Sequence, residues 1–437
     1  MTRRSVVLLT ALALLLLLVP AIGHAETVTL RLAHWGENPG IRNAIDEFNA
    51  SQERIKIEFD PSAGWPDFFE VIPVQIAAGV GPDIFSGNFT NMPLRTWAKE
   101  GVLLDLQRYW DRDAVELNAE DWFDFVFDAV RADGKLIGFP YGFAVFGILA
   151  YSTQVFDEAA LAYPDTSWTW ESVTEAARRI NRDENGDGIY DRWGMDSSFH
   201  NWRQVEAYIR SAGGSVFNAD ENGLAINADA ARRALSYLAD RHIEGTYPPA
   251  GQGDIRNPQR GMTFGWGVQH VLGLLPAMTA NNVRPGIAVG PADPVTGGRL
   301  FPGSPEFLVV NAQTPHPDEV WEFLKWFTTE EGYARASHSA WGFVQFMPVR
   351  RSAVLGGRYY MYPDPNYVPS TIDMMVTLEL AQYAAFDRIP DNPALAGSMA
   401  SITSLLQTEW QRVLARENSL NAFIDDMTNR VREMLQN

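Results

Sequence analysis

Aromatic and hydrogen-bonding side chains follow the first strand that the sequence predicts. Residues 28–32 alternate apolar and polar side chains, as a half-buried strand does, and Trp35 and Glu37 come shortly after them. A helical pattern over 39–48 and a second alternating segment over 55–59 complete a β-α-β unit with a right-handed crossover. Loops at the carboxyl ends of such strands hold ligands in open α/β sheets. We therefore expect Trp35 and Glu37 to contact a ligand; the alternative for Trp35 is ordinary packing.

The next predicted strand also ends in a loop with polar and aromatic groups. A helix is predicted over 68–78, and the apolar segment 83–85 then starts a strand. The loop that follows it contains Ser86, Asn88 and Phe89. Because this loop also lies at a strand's carboxyl end, its side chains belong to the same candidate site.

Residues 183–191 have the spacing of the first part of a calcium-binding loop. The sequence DENGDGIYD matches the pattern D-x-N-x-D-G with a further Asp at the ninth place. The candidate ligands are Asp183, Asn185, Asp187, Ile189 and Asp191. The twelfth place, where such loops carry a bidentate Glu, is Gly194. The alternative is a turn in which Asp and Asn side chains bond to their own backbone.

The stretch 134–152, GKLIGFPYGFAVFGILAYS, predicts two successive buried strands. The first ends at Pro140, because a proline cannot donate a hydrogen bond to a strand ladder. After Tyr141 and Gly142, residues 143–151 are apolar at nearly every position, as in a strand covered on both faces. This arrangement either carries the chain from one α/β lobe to another or forms two neighbouring strands of a single sheet.

The rest of the chain alternates helical and strand patterns. Helices are predicted over 94–106 and 122–130, after a cap at Thr169, before the pair Gly213–Gly214, over 228–242 and 317–327, and in a tail over 396–414 and 420–435. A loop is predicted over 297–305, with strands over 287–289 and 307–310. The glycine-rich segment 261–267 surrounds Trp266, whose indole we expect to stand clear of the backbone.

Length and composition limit the classes of protein. The 437 residues exceed what one hydrophobic core usually supports, so two domains are expected. The absence of cysteine excludes disulfides, thiolate metal sites, a cysteine nucleophile and a lipid-modified N-terminal cysteine. With 54 acidic against 35 basic residues, the net charge of −19 argues against nucleic acid or anionic lipid as the main partner.

Residues 1–25 read as a signal peptide. Arg3 and Arg4 form its charged end, an apolar run follows over 6–19, and small residues over 23–25 mark a cleavage site. The run is shorter than the roughly 20 residues that a spanning helix needs. The mature protein is therefore expected to be secreted, and periplasmic if the cell is Gram-negative.

Eight segments in a fixed order resemble one protein family. They are LRLAHWGENPGIRNAIDEFN, IAAGVGPDIF, GVLLDLQRY, GKLIGFPYGFAVFGILAYS, SWTWESVTEAARRI, GMTFGWG, PHPDEVWEFLKWFTTEEGYARAS and WGFVQFMPVRRS. Together they resemble the extracellular solute-binding proteins of ABC importers, in the branch typified by maltose-binding protein and other oligosaccharide binders. The resemblance extends from about residue 27 to the C-terminus.

The resemblance implies the periplasmic binding protein fold, with two discontinuous α/β lobes joined by a hinge. The first lobe would comprise residues 26–141 plus 303–355, and the second residues 142–302 plus 356–437. The stretch 134–152 would be the first crossing between them, and the region near Gly303 the second. Ligand would lie between the lobes, which close over it by a population shift, and the closed form would dock on a membrane permease.

The resemblance also implies a set of ligand contacts. They are Trp35, Glu37, Ser86, Asn88 and Phe89 in the first lobe, Tyr141 and Phe143 in the hinge, Asn201, Trp202, Arg203 and Trp266 in the second lobe, and Phe343 in an aromatic loop. Rings that stack on sugar faces, and Glu, Asn and Arg groups that bond hydroxyls, suit a carbohydrate. The chain departs from maltose-binding protein at Asn88 and Phe89, where that protein has a charged contact, and near Met399, so the particular sugar is open.

The expected function is therefore a monomeric, non-enzymatic import receptor for a sugar, with no required cofactor beyond a candidate structural calcium. A glycerol-phosphate-like or other small polar metabolite is the alternative ligand, although only Arg203 is basic among the expected contacts. A secreted glycosidase or a lectin is the alternative from another class. The sequence has none of the G-x-S-x-G, H-E-x-x-H or phosphate-loop motifs.

Overall fold

The computed structural model describes residues 27–61, 64–88, 92–196, 198–249, 255–267, 275, 277–329, 332, 346–356, 371–386, 390 and 392–436. The described strands are β1 (Val28–Ala33), β2 (Ile55–Asp60), β3 (Ile84–Ser86), β4 (Arg131–Ala132), β5 (Lys135–Leu136), β6 (Phe139–Ser152), β7 (Trp193–Met195), β8 (Arg260–Gly267), β9 (Pro285–Val289), β10 (Phe301–Val310), β11 (Met347–Pro348) and β12 (Ala384–Phe386). The described α-helices are α1 (Pro39–Ser51), α2 (Trp65–Ala77), α3 (Leu94–Lys99), α4 (Gln107–Asp113), α5 (Asp124–Ala129), α6 (Thr153–Glu158), α7 (Trp170–Ile180), α8 (Trp202–Ser211), α9 (Asp229–Ile243), α10 (Pro317–Phe327), α11 (Arg351–Gly356), α12 (Thr371–Ala381), α13 (Pro393–Leu414) and α14 (Leu420–Gln436). The predicted signal peptide lies outside the described residues.

The strands form a mixed sheet in the order β2-β1-β3-β10-β6-β8-β7. Strands β1, β2 and β3 are parallel to one another, whereas β10 is antiparallel to both β3 and β6. Strands β9 and β11 also pair with β6, β12 pairs with β10, and β4 and β5 form a separate hairpin. Helices and a mixed sheet confirm the predicted α/β class.

The N-terminal β-α-β unit forms as its periodicity predicts. Strand β1 pairs in parallel with β2, and its alternating side chains bury Leu30 and Leu32. Helix α1 begins after Asn38, whose side chain accepts a hydrogen bond from the backbone N of Ile41 at 3.1 Å. Pro39 occupies the first turn, where its missing N–H costs nothing. The carboxyl end of β1 is therefore followed directly by His34 and the loop that leads to α1.

The prediction that Pro140 ends a strand is wrong, because β6 is one continuous strand of 14 residues. Pro140 lies opposite Phe307 and Gly142 lies opposite Glu306, so Tyr141 is an extra residue on the β6 side. This shift in register is a β-bulge, which interrupts the ladder at the place where proline has no N–H to donate. A proline inside a strand is tolerated here because the bulge absorbs it.

Strands β10 and β6 are neighbours in the middle of the sheet, and together they join the strands on its two sides. Residues 139–145 of β6 pair with β10, and residues 146–152 pair with β8 and β9. Residues 308–310 of β10 pair with β3, and residues 301–303 pair with β12. The predicted loop over 297–305 is therefore too long, because β10 already begins at Phe301 with partners on both sides. The lobe boundaries given above stay predictions.

Two further boundary predictions need correction, and two are confirmed. The helix expected over 94–106 ends at Lys99, because Gly101 adopts a left-handed backbone with φ of 73° and Leu103 bridges to Asn311. The helix expected over 122–130 is shorter in the structure, where α5 covers Asp124–Ala129. Helix α7 does begin after Thr169, which forms a capping box with Ser172. Helical spacing in the sequence also predicts one apolar stripe on α13, and its residues Ile402, Leu406, Trp410 and Val413 are buried.

Among the described residues, none of the helices combines the length and the apolar composition that crossing a bilayer requires.

One face of the crossing strands is backed by aromatic rings. The Phe143 ring packs edge-on against Phe123 and Phe125, with centroids at 5.4 and 5.2 Å. Phe386, from β12, lies 4.8 Å from Phe125 and 5.8 Å from Phe143. Residues from α5, β6 and the C-terminal part of the chain thus meet in one cluster, which restricts movement of the crossing strands on this side.

Gly303 is the position in this packing that we expect to tolerate a side chain least. An added Cβ would overlap the Phe386 ring and lie 2.5 Å from the carbonyl oxygen of Ala144. We predict that Gly303→Ala lowers the free energy of unfolding by about 1–3 kcal/mol, measured by urea denaturation. Gly397→Ala is the matched control, since an added Cβ in this exposed turn of α13 meets nothing within 4 Å. It should stabilise the protein by about 0.5–1 kcal/mol through helix propensity. Equal effects of the two substitutions would contradict the packing.

Candidate functional site

A partly exposed face runs along the middle of the two crossing strands. Both β6 and β10 are otherwise buried, and their half-buried residues are Phe146, Ser304 and Glu306. Glu306 lies opposite Gly142 and Ser304 opposite Ala144, so these pairs point to the same side of the sheet. Phe146, two residues beyond Ala144, falls on that side by alternation. We call this side of the two strands, with Gly142, Ala144, Phe146, Ser304 and Glu306, the open face.

Glu306 is the charged group of this open face. Its side chain has no hydrogen-bond or ion-pair partner among the described residues. Burial raises the pKa of its carboxyl to about 8, because the surrounding protein removes the water that stabilises the carboxylate. Burial also raises the pKa of the Tyr141 phenol well above its usual value, and the charge of Glu306 adds to that effect. The Glu306 carboxyl is thus largely removed from water although the residue is only half-buried.

The loop after β3 lies beside Glu306. Ser86 pairs opposite Leu308, and the backbone N of Gly87 donates to the carbonyl oxygen of Phe307 at 3.0 Å. The Ser86 side chain is buried, and its hydroxyl has no partner within the described part of the chain. Asn88, the last described residue of the loop, is half-buried. This strand end therefore lies next to the open face, and the roles of Ser86 and Asn88 as ligand contacts stay predictions.

Trp35 lies at the neighbouring strand end, because β1 pairs with β3. Its half-buried ring contacts His34 at 4.6 Å, Phe68 at 6.1 Å and Phe69 at 6.4 Å between centroids. Burial lowers the pKa of His34 to about 4, so the supporting imidazole is neutral at pH 7. Trp35 is thus held by other rings while part of its surface stays accessible, as a stacking platform requires.

Glu37 is exposed and already engaged. Both of its carboxylate oxygens accept hydrogen bonds from the Arg42 guanidinium, each at 2.6 Å. These hydrogen bonds are the main reason that the pKa of Glu37 lies below its usual value. A ligand hydroxyl would have to share this carboxylate with Arg42.

Helix α8 brings Arg203 to the open face. The guanidinium carbon of Arg203 lies 5.4 Å from the centroid of the Phe146 ring, in cation–π geometry. Asn201 is exposed and caps the helix, since its side chain accepts from the backbone N of Arg203 at 2.9 Å. Phe146 belongs to β6 and Arg203 to α8, so this contact joins the crossing strand to the part of the chain beyond it.

Three of the expected contacts are core residues in the structure. Trp202 is 3% exposed and lies 6.4 Å from Trp410 and 6.2 Å from Phe423 of the terminal helices. Phe143 is fully buried in the aromatic cluster described above. Tyr141 is 2% exposed and packs 5.3 Å from Phe327.

The expectation that these three rings are offered to a ligand needs correction, because neighbouring rings and aliphatic groups occupy their surroundings. An aromatic residue in a matching sequence position does not reveal whether its ring faces the core or the cleft. We leave Tyr141, Phe143 and Trp202 out of the proposed binding surface.

Three other expected contacts are not described at the level of side chains. The backbone of Trp266 belongs to β8 and pairs opposite Ile148, close to the pair of Phe146 and Gly267. Phe89 and Phe343 lie outside the described residues. The roles of these three residues stay predictions.

The acidic loop 183–191 folds onto its own backbone. Asp183 accepts from the backbone N of Gly186 at 2.7 Å and of Gly188 at 2.9 Å, and Asp191 accepts from Glu184 at 2.8 Å. In the described part of the chain, no group of three or more His, Cys, Asp or Glu side chains is arranged to hold a metal ion. The hydrogen bonds correspond to the turn that was the alternative to calcium binding.

Sequence reasoning missed Phe146, Ser304 and Glu306. A signal for Glu306 was present, because it is the lone charged residue in the segment FPGSPEFLVV. An ionisable group in an otherwise apolar strand indicates a role other than packing. No comparable signal distinguishes Phe146 from its apolar neighbours.

Residues 34–334 match the family of bacterial extracellular solute-binding proteins. The matched region covers more than half of the chain and includes both crossing strands. The chain therefore belongs to this family, which confirms the resemblance drawn from the eight sequence segments.

Solved structures of solute-binding proteins share the fold. The sugar-binding protein MalE from Xanthomonas citri has a TM-score of 0.75 and 18% identity, covering 94% of this chain and 98% of that chain. An ABC substrate-binding protein from Listeria monocytogenes, in complex with cycloalternan, has a TM-score of 0.71 and 18% identity, covering 94% and 100%. MalE from Bdellovibrio bacteriovorus, bound to maltotriose, has a TM-score of 0.65 and 16% identity, covering 94% and 100%. These similarities establish the periplasmic binding protein fold.

The raised pKa of Glu306 predicts a pH dependence of stability. Between the ordinary pKa of about 4.5 and the folded value of about 8, the folded protein retains a proton that the unfolded chain loses. The contribution of Glu306 to the free energy of unfolding is therefore fully present below pH 4.5, and it is lost as the pH rises from 4.5 through 8. Glu306→Gln removes this loss, so its melting temperature should exceed that of the wild type increasingly from pH 5 to pH 8.5. A difference that does not change with pH would contradict the burial of an unpaired carboxyl.

Proposed function

We propose that this protein is the sugar-binding receptor of an ABC importer. The observation that carries the proposal is the open face on the two crossing strands, where the half-buried Phe146 ring lies on the same side as the Glu306 carboxyl, which has no partner among the described residues. The half-buried rings of Phe146 and Trp35 suit the apolar faces of a sugar ring. Glu306 and Asn88 suit its hydroxyl groups, and Arg203 adds a donor. Family membership and the sugar ligands named for the structural neighbours support the same conclusion.

The position of this face suggests how capture works. It lies on β6 and β10, the strands that connect the two parts of the sheet, so a ligand bound there touches groups from both parts. Closure then follows from differential binding, since a ligand that contacts both parts stabilises the closed arrangement over the open one. The closed protein would deliver its ligand to the membrane permease of the importer.

The alternative ligands receive less support. A phosphorylated metabolite would need several cations or a set of backbone amides. On the described part of the open face, Arg203 is the basic group in contact, and Glu306 supplies no positive charge. A glycosidase would need two carboxyl groups roughly 5–10 Å apart. Glu306 is the carboxyl group on the described part of the open face, so binding without turnover is the better account.

The proposal also includes the localisation, oligomeric state and partners that the sequence leads us to expect. A secreted protein with the predicted signal peptide at 1–25 and no cysteine would be free in the periplasm and not anchored by lipid. It would act as a monomer, with a carbohydrate and the permease subunits as partners and no nucleic acid.

A ligand panel tests the proposed function. We expect maltose, maltotriose or trehalose to quench or shift the tryptophan fluorescence of the purified protein in a saturable way, while glycerol 3-phosphate leaves it unchanged. A response to the phosphate compound alone would overturn the assignment to sugars. Release of free glucose during the titration would reveal an enzyme instead.

Trp35→Ala tests the stacking platform. Loss of a ring that stacks on a sugar should cost about 1–3 kcal/mol of binding free energy, measured by isothermal titration calorimetry. Trp202→Phe is the control, because Trp202 belongs to the core and its replacement should change the melting temperature without changing the affinity. Unchanged affinity for Trp35→Ala would place this ring outside the site.

Calcium binding by residues 183–191 stays a prediction of the sequence. If the loop binds calcium, millimolar calcium should raise the melting temperature by several degrees relative to EDTA, and Asp187→Asn should abolish the increase. An unchanged melting temperature would support the alternative in which the Asp side chains only bond to the backbone.

A further inference from the structure

Glu306 lies in a part of β10 whose neighbouring strands carry no compensating charge. Strand β6 contributes the titratable phenols Tyr141 and Tyr151, and β3 contributes the hydroxyl of Ser86. Strands β11 and β12 contribute only Met347 and Pro348 and the segment Ala384–Phe386. None of the strands paired with β10 or with the adjoining part of β6 therefore supplies a cation among the described residues.

The helices that pack against β10 have charges that are engaged elsewhere. Helix α8 carries Glu206 and Arg210, whose side chains pair with each other at 2.6 Å, and Arg203, which lies over the Phe146 ring. Helix α5 carries Asp124 and Asp128, both acidic. These helices do not neutralise Glu306, which agrees with burial being the sole cause of its raised pKa.

An unpaired carboxylate in this environment is unfavourable. Removing a charged group from water costs several kcal/mol unless hydrogen-bond donors or a cation replace the water. The free protein avoids the cost by keeping the carboxyl protonated near neutral pH. A ligand whose O–H groups donate hydrogen bonds to the carboxylate would stabilise the charged form and so favour loss of the proton.

We propose that Glu306 is a specificity-determining contact that binds the hydroxyl groups of the sugar as a carboxylate, so that ligand capture releases a proton. The inference rests on the proposed function and identifies the ligand as a neutral donor of hydroxyl hydrogens. Ligand O–H groups donate to the carboxylate oxygens, and the proton that leaves the carboxyl passes to the buffer. No covalent bond to the ligand forms or breaks, and a ligand without free hydroxyls at this position would not displace the proton.

The proton release has a measurable consequence for affinity. If the ligand binds the carboxylate form, the fraction of protein in that form limits binding at low pH. With a free-protein pKa of about 8, affinity should rise by about tenfold or more between pH 6 and pH 9. The lowered pKa values of His34 and His242, each about 4, place those groups outside this range.

Calorimetry in buffers of different ionisation enthalpy tests the inference. Titration of the wild-type protein with maltose, maltotriose and trehalose at pH 7 should release a substantial fraction of one proton per bound saccharide. Glu306→Gln keeps the size and one acceptor of the side chain but cannot ionise. It should bind without proton release, with affinity independent of pH, and about tenfold more weakly than the wild type at pH 8.5.

Glu53→Gln is the matched control, because Glu53 is exposed and distant in sequence from the crossing strands. It should retain the proton release and the pH dependence of the wild type. If Glu306→Gln fails to fold, the proton count of the wild type still decides the question, since no other described group on the open face titrates near pH 8.

A measurement on the free protein separates the two proposals. The side-chain carboxyl carbon of Glu306, observed by NMR, should titrate near pH 8 without ligand and at lower pH with saturating saccharide. Titration of the free protein in the ordinary range of about 4–5 overturns the inference, as does saccharide binding without proton release. Failure of the wild type to bind any of the three saccharides would instead overturn the proposed function, and the inference with it.

Discussion

The antiparallel pairing of β6 with β10 is the interaction on which the rest of the structure depends. Strand β10 pairs with β3 of the parallel set β1, β2 and β3, whereas β6 pairs with β8 and β9 of the set that also contains β7. The hydrogen bonds between β6 and β10 connect these two sets within the described sheet. Any change in the relative position of the two sets must therefore bend or twist this pair.

The two faces of this pair have different environments. On one side, the rings of Phe123, Phe125, Phe143 and Phe386 fill the space, and Gly303 is needed so that the Phe386 ring can approach the backbone. On the other side, the small residues Gly142 and Ala144 lie opposite Glu306 and Ser304, which are half-buried. One face is thus packed with rings, while the open face keeps partly exposed side chains.

Glu306 differs from other carboxyl groups of the molecule in having no hydrogen-bond or ion-pair partner among the described residues. Asp113 accepts hydrogen bonds from Arg112 and Trp321 and pairs with Lys325, which together hold the pKa of its carboxyl well below its usual value. Asp293, fully buried, pairs with Arg233 at 2.8 Å. These carboxylates have partners that compensate for the loss of water. Glu306 lacks such partners among the described residues, so either a group outside the described residues compensates its charge or the carboxyl stays protonated.

Local sequence patterns determined the β-α-β unit, the cap at Thr169, the buried stripe of α13 and membership of the family. Helical and strand periodicity is a local property, and the same apolar residues that define it also form the core. The tertiary structure decided that Pro140 lies inside β6, because the bulge opposite Glu306 depends on a strand more than 150 residues away. It also decided which rings face the cleft, since Phe143 and Trp202 are covered by Phe386 and Trp410 from the C-terminal part of the chain. Residue type and spacing show that a ring or a carboxyl is present; only contacts between distant segments decide whether water, protein or ligand surrounds it.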